Sequence, residues 1–368
     1  MNYQEKYIKY KNKYLNLVNQ IGSAITGSQQ KLQTKLQSQN MEDIVGLYAL
    51  AAPNDCASTN MKLEHLNNIY NNIKKISKTD PSGCSPDTIT KTVLSECNPN
   101  GLIVYDIQEE KCKNGAERQF KFIKKEQADI FANFISKKFP SNPVILYRAI
   151  PKNSTASALD KWLDESITKR NATTVVWIGG GSRDGLIDGK KAVDYVVNKV
   201  DEKYKEVIYG GVCLPERKIL YNLNEAGLML DRTLQNYKFF ITQIVYNYIM
   251  FENLLNDYVK LCNTIKINPA RIIFNFALFA SKKTIDFMEC LGVIFDDNFE
   301  SDLKKLKDNT EESYIEYSMN KSCKIYTDLI KLCKEKNIPF GFSADVVSGN
   351  KKENEYSVEL YNRLNQIK

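Results

Sequence analysis

Histidine is almost absent from this sequence, since His65 is the only one among its 368 residues. A single imidazole cannot form a metal site that needs two or three histidines, and it allows at most one catalytic pair with serine or cysteine. His65 falls within a predicted helix, where a structural role is expected. Acid–base chemistry must therefore depend mainly on carboxylates, lysine, tyrosine or bound water.

Long apolar runs are also missing. No run reaches the 18 residues that a transmembrane helix requires, and the polar N terminus predicts no signal peptide. The net charge of +7 is concentrated in residues 1–40, where six lysines and one acidic residue give +5, so the other 328 residues carry only +2. Because nucleic-acid binders present an extended basic surface, the near-neutral body predicts a small-molecule site, with neither nucleic acid nor membrane as a partner.

The first 21 residues have the spacing of an amphipathic helix, with aromatic and aliphatic residues recurring every three or four positions. A Gln/Ser-rich stretch then predicts a linker up to Asn40. This leader resembles the lysine- and tyrosine-rich N termini of many proteins of mimivirus-type giant viruses. We interpret it as a tether or a homo-oligomerisation helix, or alternatively as a loosely ordered leader. The recurring residues are Tyr3, Tyr7, Tyr10, Tyr14, Leu17 and Ile21.

The nine cysteines include no CxxC pair. Their number is odd, and several lie in apolar patterns, such as Cys262 in YVKLCNTI and Cys290 in FMECLGV. This pattern is typical of reduced, buried thiols and predicts a cytoplasmic protein, in the host cytoplasm or the virion if it is viral. A disulfide among Cys56, Cys84 and Cys97 is the alternative.

From Ile44 onward, short apolar runs rich in β-forming residues alternate with helical segments. Near-continuous apolar strands are typical of a sheet that is buried on both faces. Eight strands, each followed by a helix, predict an α/β fold of the (β/α)8 TIM barrel type, with a doubly wound sheet as the competing fold. The predicted domains are the helical leader with its linker, 1–40, and the barrel, 41–368. The predicted strands are 44–51, 101–107, 144–150, 174–178, 207–213, 239–246, 271–279 and 339–344.

In such a barrel, binding and catalytic groups lie at the carboxyl ends of the strands. Asp106 comes after the second strand, in position for proton transfer. Glu109 and Glu110 follow it and are expected to be solvated loop acids. After the seventh and eighth strands come Ser281 and Asp345, for which we expect helix-capping roles.

A glycine-rich turn follows the fourth strand. A strand, such a turn and then a helix allow backbone N–H groups to approach a phosphate or a planar ring. The spacing matches neither G-x-G-x-x-G nor a Walker loop, so it predicts close approach of a ligand rather than a particular nucleotide. The turn consists of Gly179, Gly180, Gly181, Ser182, Arg183 and Asp184.

The fifth and sixth strands end in further polar candidates. Glu216 and Arg217 follow the fifth strand, and Gln243 lies among apolar residues of the sixth. A buried amide that finds no hydrogen-bond partner costs about 1–3 kcal/mol. At the rim of a barrel, Gln243 can instead offer a donor and an acceptor to the edge of a heterocycle.

These motifs, in this order, resemble the methylenetetrahydrofolate reductase family. The most specific pair is Pro215-Glu216 after one strand and Ile241-Thr242-Gln243 on the next, about 27 residues apart. The resemblance spans residues 44–368 and is strongest over 205–295, where the later motifs are those of a divergent branch. These later motifs are IFNF at 273–276, TIDF at 284–287 and PFG at 339–341.

The resemblance implies a barrel that reduces 5,10-methylenetetrahydrofolate to 5-methyltetrahydrofolate with electrons from NAD(P)H. It implies that Gln243 contacts the pterin and that the loop of Glu216 contacts substrate and cofactor. The glycine-rich turn would admit the cofactor. Arg183 or Arg217 would pair with a folate carboxylate or a dinucleotide phosphate, since a guanidinium suits both anions.

The sequence departs from the family at two carboxylates. The family has a catalytic glutamate at the end of the first strand, where this chain has Ala49. It also has Arg-Gly-Asp after the fourth strand, where this chain has Ile178-Gly179-Gly180. FAD is therefore a weaker expectation than direct hydride transfer from NAD(P)H. The proton donor is expected among Asp106, Asp184 and Glu216, with Asp106 favoured. The alternative is a non-catalytic folate-binding or structural barrel, tethered through its N-terminal helix.

Overall fold

Eight parallel strands close into a barrel in the computed structural model of this chain. Each strand pairs with the next one along the sequence, and the first also pairs with the eighth. The predicted (β/α)8 TIM barrel is thereby confirmed, and the doubly wound sheet is excluded. The structure describes residues 46–51, 100–109, 111–113, 115–122, 127–138, 142–150, 155–179, 189–306 and 308–367.

All eight strands lie where the apolar runs predict them, with bounds that differ by at most two residues. The agreement arises because each run is bounded by turn residues and is long enough for one strand only. The strands are β1 (Gly46–Ala51), β2 (Gly101–Tyr105), β3 (Val144–Ala149), β4 (Thr174–Ile178), β5 (Ile208–Cys213), β6 (Phe239–Ile244), β7 (Arg271–Ala277) and β8 (Phe340–Asp345).

The described helices alternate with the strands. Two helices lie between β5 and β6, because Asn222 takes a left-handed conformation with φ of 52° and ends the first of them. The predicted leader and the predicted helix with His65 lie outside the described residues. The described helices are α1 (Ala128–Lys138), α2 (Ala156–Asp164), α3 (Gly189–Lys203), α4 (Glu216–Tyr221), α5 (Glu225–Leu234), α6 (Tyr248–Ile265), α7 (Lys282–Cys290), α8 (Phe299–Lys304), α9 (Glu311–Lys336) and α10 (Lys351–Gln366). No helix in these ranges is long and apolar enough to cross a membrane.

The strands bury both of their faces. One face joins the helices in the main hydrophobic core, as Leu102 and Leu146 do. The alternate residues form a second cluster, which contains strand residues only and fills the inside of the barrel, with Ile103, Ile145 and Ile273 among its members. This two-sided burial explains why the strands are almost continuously apolar.

The barrel requires a glycine where β5 passes β6. A Cβ atom added at Gly210 would lie 2.6 Å from the carbonyl oxygen of Phe239 and 2.6 Å from its ring. We expect Gly210→Ala to lower the free energy of unfolding by at least about 2 kcal/mol, because neither a strand backbone nor a packed ring can move away freely. Denaturant unfolding measures this loss. Gly349→Ala is the control, since a Cβ there meets no atom within 4 Å, and equal stability losses in the two variants would contradict the prediction.

One disulfide bond joins Cys112 to Cys290. The expectation of reduced thiols is wrong for these two residues, although it is confirmed for the four described cysteines that are free, Cys213, Cys262, Cys323 and Cys333. Sequence spacing could not reveal the pair, because 178 residues separate its members and only the barrel brings them together. The alternative disulfide among Cys56, Cys84 and Cys97 lies outside the described residues.

Candidate functional site

Polar side chains gather at the carboxyl ends of four strands, inside an otherwise apolar barrel. Tyr105 of β2 and Tyr147 of β3 pack against the interior cluster. Asn275 of β7 lies two residues after the interior Ile273, and Asp345 ends β8. Active sites of TIM barrels lie at this end. We call Tyr105, Tyr147, Asn275 and Asp345 the interior quartet.

Asn275 organises the interior quartet through its amide. Its Nδ2 donates to Oδ2 of Asp345 at 3.3 Å and to the hydroxyl oxygen of Tyr105 at 3.4 Å. Its Oδ1 accepts from the hydroxyl of Ser343 at 2.9 Å. The rings of Tyr105 and Tyr147 meet edge to face, with centroids 4.5 Å apart. The amide therefore fixes both the carboxylate and one phenol at the end of the barrel where the strands have their carboxyl ends, which we call the mouth.

Burial dominates the electrostatics of the interior quartet. It raises the pKa of Asp345, against hydrogen bonds from Asn275, the Val346 N–H and Tyr105 that lower it. Burial, followed by the charge of Asp345, also raises the pKa of Tyr105 and of Tyr147 well above the usual value of a tyrosine. Both phenols therefore keep their protons at neutral pH and act as neutral donors.

The expected helix-capping role is wrong for Asp345. The N-cap of α10 is Asn350, whose side chain accepts from the N–H groups of Lys352 and Glu353. One oxygen of Asp345 accepts from the adjacent Val346 N–H, at 2.7 Å, and the other accepts from Asn275 inside the barrel. A strand-end carboxylate looks the same in sequence whether it faces the barrel or the next helix. The capping role of Ser281 is confirmed, since it accepts from the Thr284 N–H at the start of α7.

Glu216 is a buried acid at the start of α4. Only 4% of its surface is exposed, and its Oε2 has no hydrogen-bond partner among the described residues. Burial raises the pKa of Glu216 to about 8, with the charge of Glu225 adding to the rise and those of Lys113 and Arg217 opposing it. Glu216 is therefore protonated at neutral pH, as a proton donor must be.

Arg217, the expected anion binder, is ion-paired within the protein. Its Nη1 donates to both carboxylate oxygens of Glu225, at 3.0 and 3.1 Å. Glu225 also accepts from the N–H of Leu214, at 2.9 Å. This pair fastens the loop after β5 to α5, so binding an external anion would require Arg217 to leave Glu225 or to share its charge.

Gln243 lies at an irregular point of the barrel. The register between β6 and β7 shifts between Ile241 and Ile244, and such bulges commonly re-aim side chains next to active sites. Its Nε2 donates to the carbonyl oxygen of Leu291 at 3.1 Å, and its Oε1 accepts from the Ile244 N–H at 3.0 Å. Each end of the amide retains capacity for one more hydrogen bond. The half-buried Gln243 can therefore still contact a ligand.

Asp106 belongs to a different environment from the interior quartet. It accepts from the Ala149 N–H at 2.9 Å and pairs with Arg148 at 3.5 Å. Arg148 also pairs with Asp129 of α1 at 3.2 Å and lies over the ring of Trp162. Because strand residues alternate between faces, Asp106 faces the helices while its neighbour Tyr105 faces the interior. The structure thus does not bring Asp106 together with Gln243 or Asp345.

The glycine-rich turn is described only at its first residue. Gly179 is exposed directly after β4. Gly180, Gly181, Ser182, Arg183 and Asp184 lie outside the described residues, and their cofactor-binding role stays a prediction.

Sequence reasoning missed the interior quartet as a group. Asn275, in the apolar run IIFNFAL, carried the same signal that identified Gln243, an amide among apolar strand residues. Applied to the seventh strand, that signal would have found Asn275. The two tyrosines gave no such signal, because a tyrosine in an apolar strand is ordinary core.

The fold and the polar mouth define a TIM-barrel protein with a candidate small-molecule site. No protein-family model and no curated protein matches the sequence. A solved structure with the same fold is an uncharacterised Clostridium thermocellum protein that binds two copies of 5-methyl-5,6,7,8-tetrahydrofolic acid. It is 23% identical, with a TM-score of 0.62 over 92% of this chain and 100% of that chain.

Two further solved structures are more weakly similar. A GH113 beta-1,4-mannanase is 8% identical, with a TM-score of 0.44, over 87% of this chain and 98% of that chain. An EDTA monooxygenase from Chelativorans is 7% identical, with a TM-score of 0.45, over 88% and 93% of the two chains. These values carry no argument about function.

Proposed function

We propose that this protein binds a reduced folate at the mouth of its barrel and acts as a methylenetetrahydrofolate reductase-like oxidoreductase. It would reduce 5,10-methylenetetrahydrofolate to 5-methyltetrahydrofolate with electrons from NAD(P)H. The observation that carries the proposal is the likeness to the Clostridium thermocellum protein, which binds 5-methyltetrahydrofolate and is covered over its whole length. The position of Gln243 at the carboxyl end of β6 supports it.

The side chains of the site suit the two tasks of this reaction. Gln243 offers a donor and an acceptor for the edge of the pterin. Glu216 is protonated at neutral pH, and it is our preferred donor of the proton that the folate nitrogen must receive. Asp106 is the less favoured donor, because Arg148 pairs with its carboxylate outside the barrel interior.

A nicotinamide, when bound, would supply the hydride. Arg217 is ion-paired with Glu225, so the turn that begins at Gly179 would have to bind the phosphates of the dinucleotide. A flavin is the less favoured source of the hydride, because the family's flavin reaction uses a first-strand glutamate that this chain lacks. Ala49, in the place of the family's first-strand glutamate, is 4% exposed within the apolar interior cluster.

The same alanine favours a second candidate function, a barrel that binds folate without catalysis. An aliphatic Ala49 cannot take part in proton transfer. In that case Gln243 and the mouth would retain the ligand, and no electrons would pass.

Titration calorimetry with 5-methyltetrahydrofolate tests the binding that both candidates share. Saturable binding supports the proposal, and absence of binding would exclude both functions. Oxidation of NADH or NADPH in the presence of 5,10-methylenetetrahydrofolate then separates the enzyme from the binding protein. Flavin absorbance in the purified protein would restore FAD as a cofactor.

Gln243→Ala is expected to weaken 5-methyltetrahydrofolate binding roughly tenfold or more, because one amide hydrogen bond or two are lost. The matched control is Gln235→Ala, since Gln235 is exposed beyond α5 at the other end of the barrel. Thermal melts of both variants check that the loss of the Leu291 contact has not unfolded the protein. Unchanged affinity in a folded Gln243→Ala variant would remove Gln243 from the site.

A further inference from the structure

Asp345 is a carboxylate placed where the barrel offers it little solvation. The interior cluster beneath it consists of apolar residues and Tyr147. Removing a carboxylate from water is costly unless its charge is neutralised or its oxygens are hydrogen-bonded. No lysine or arginine pairs with Asp345 within the described ranges, and no cation contributes to its pKa.

The described residues do not fill every hydrogen-bond acceptor site of the Asp345 carboxylate. Two oxygens provide about four acceptor sites. The Val346 N–H occupies one site on Oδ1, and Asn275 Nδ2 occupies one on Oδ2. The Tyr105 hydroxyl hydrogen-bonds the carboxylate as well. Because Asp345 also keeps some exposure, a molecule that enters the mouth can use the fourth acceptor site and can replace Tyr105 at the third.

We propose that Asp345, positioned by Asn275, is the carboxylate that binds the amino-substituted pyrimidine ring of a reduced folate. This inference rests on the proposed function and adds a residue to it. The ring carries an amino group beside a ring N–H, and these two parallel donors match the two oxygens of one carboxylate. The family's two carboxylates, at the end of the first strand and after the fourth, are missing from this chain. Within the described barrel interior, Asp345 is the carboxylate that can take the role of binding the ring.

The tyrosines complete a surface for a flat ring. Tyr105 and Tyr147 lie close enough to Asp345 to interact with its charge, and their rings pack edge to face. Aromatic rings beside a site favour planar ligands. Their hydroxyls remain protonated, so they add no second negative charge beside Asp345. Asn275 acts as a positioning residue, since it holds Asp345 and Tyr105 through one nitrogen.

Asp345→Asn tests the inference, because it keeps the shape and removes the paired acceptors. The probes are 5-methyltetrahydrofolate, 6-methyltetrahydropterin (the ring without its tail) and p-aminobenzoylglutamate (the tail without its ring). We expect the variant to bind the first two roughly 10- to 100-fold more weakly and the tail with unchanged affinity. Asp257→Asn, the same change on the exposed face of α6, should leave all three affinities unchanged.

The outcomes separate this inference from the function on which it rests. A wild-type protein that binds no folate overturns the proposed function. A wild-type protein that binds folate, with an equally tight Asp345→Asn variant, overturns only the role of Asp345. A second measurement uses the wild-type protein and so needs no folded variant. It is the infrared difference spectrum on adding 6-methyltetrahydropterin, a ligand that has no carboxylate of its own. A shifted protein carboxylate band is expected, and an unshifted one overturns the inference.

Discussion

Removal of the Cys112–Cys290 disulfide is expected to lower the free energy of unfolding by about 2–5 kcal/mol. The bond closes a loop of 178 residues, and the chain entropy that a disulfide removes from the unfolded state grows with loop length. The bond also fastens the segment after β2 to the end of α7, where Phe120, Phe287 and Leu291 pack around it. Its loss therefore frees a long segment of chain at the mouth.

Urea denaturation of the double variant Cys112→Ser/Cys290→Ser measures the effect. Cys323→Ser is the control, because Cys323 is a free and only partly buried thiol on α9. The wild-type protein should lose stability when a reductant is added. The stability of the double variant should not change, because it has no Cys112–Cys290 bond to reduce. A double variant as stable as the wild type, or one as sensitive to reductant, would contradict the prediction.

The disulfide also connects to the site. Gln243 donates to the carbonyl oxygen of Leu291, the residue that follows Cys290. The Lys113 N–H donates to the carbonyl oxygen of Cys290 at 2.9 Å, and the charge of Lys113 lowers the pKa of Glu216. One bridged segment thus contacts the residue expected to bind the pterin and influences the preferred proton donor.

The barrel could be predicted from the sequence because its evidence is local. Each apolar run specifies one strand, and the alternation with helices specifies the order of the sheet. The capping role of Ser281 is equally local, since it needs only a serine before a helix. Asp345 has a similar local pattern, a polar residue shortly before a helix, but it does not cap that helix. The direction of its side chain depends on the closure of β8 against β7 and β1.

The rest of the site depends on contacts between distant residues. Asn275 and Asp345 meet across 70 positions, and Asn275 and Tyr105 across 170. Asp106 and Tyr105 are neighbours in sequence, yet they face opposite sides of one strand. The sequence could therefore place Asp106 at a strand end without revealing that Arg148 pairs with it there. Glu216 was identified by its position after a strand, whereas its burial could be seen only in the folded protein.

Glu216 is expected to make the protein less stable as the pH rises from about 4.5 to about 8. The folded protein holds its proton up to a pKa of about 8, while the unfolded chain releases it near the ordinary value of 4.5. Over this interval the folded state binds more protons than the unfolded state, so stability falls by up to about 1.4 kcal/mol per pH unit from this residue. Below the interval both states are protonated, and above it both are ionised, so the slope disappears on either side.

Glu216→Gln isolates this contribution, because a glutamine has nearly the same shape and cannot ionise. The variant should match the wild type near pH 4 and become more stable than it by an increasing margin up to about pH 8, as measured by denaturant unfolding across the range. Glu202→Gln, on the exposed last turn of α3, is the control and should follow the wild-type curve. Parallel curves for wild type and Glu216→Gln would mean that Glu216 ionises normally in the folded protein. In that case it could not hold a proton for transfer at neutral pH, and the proton donor of the proposed reaction would have to be sought elsewhere.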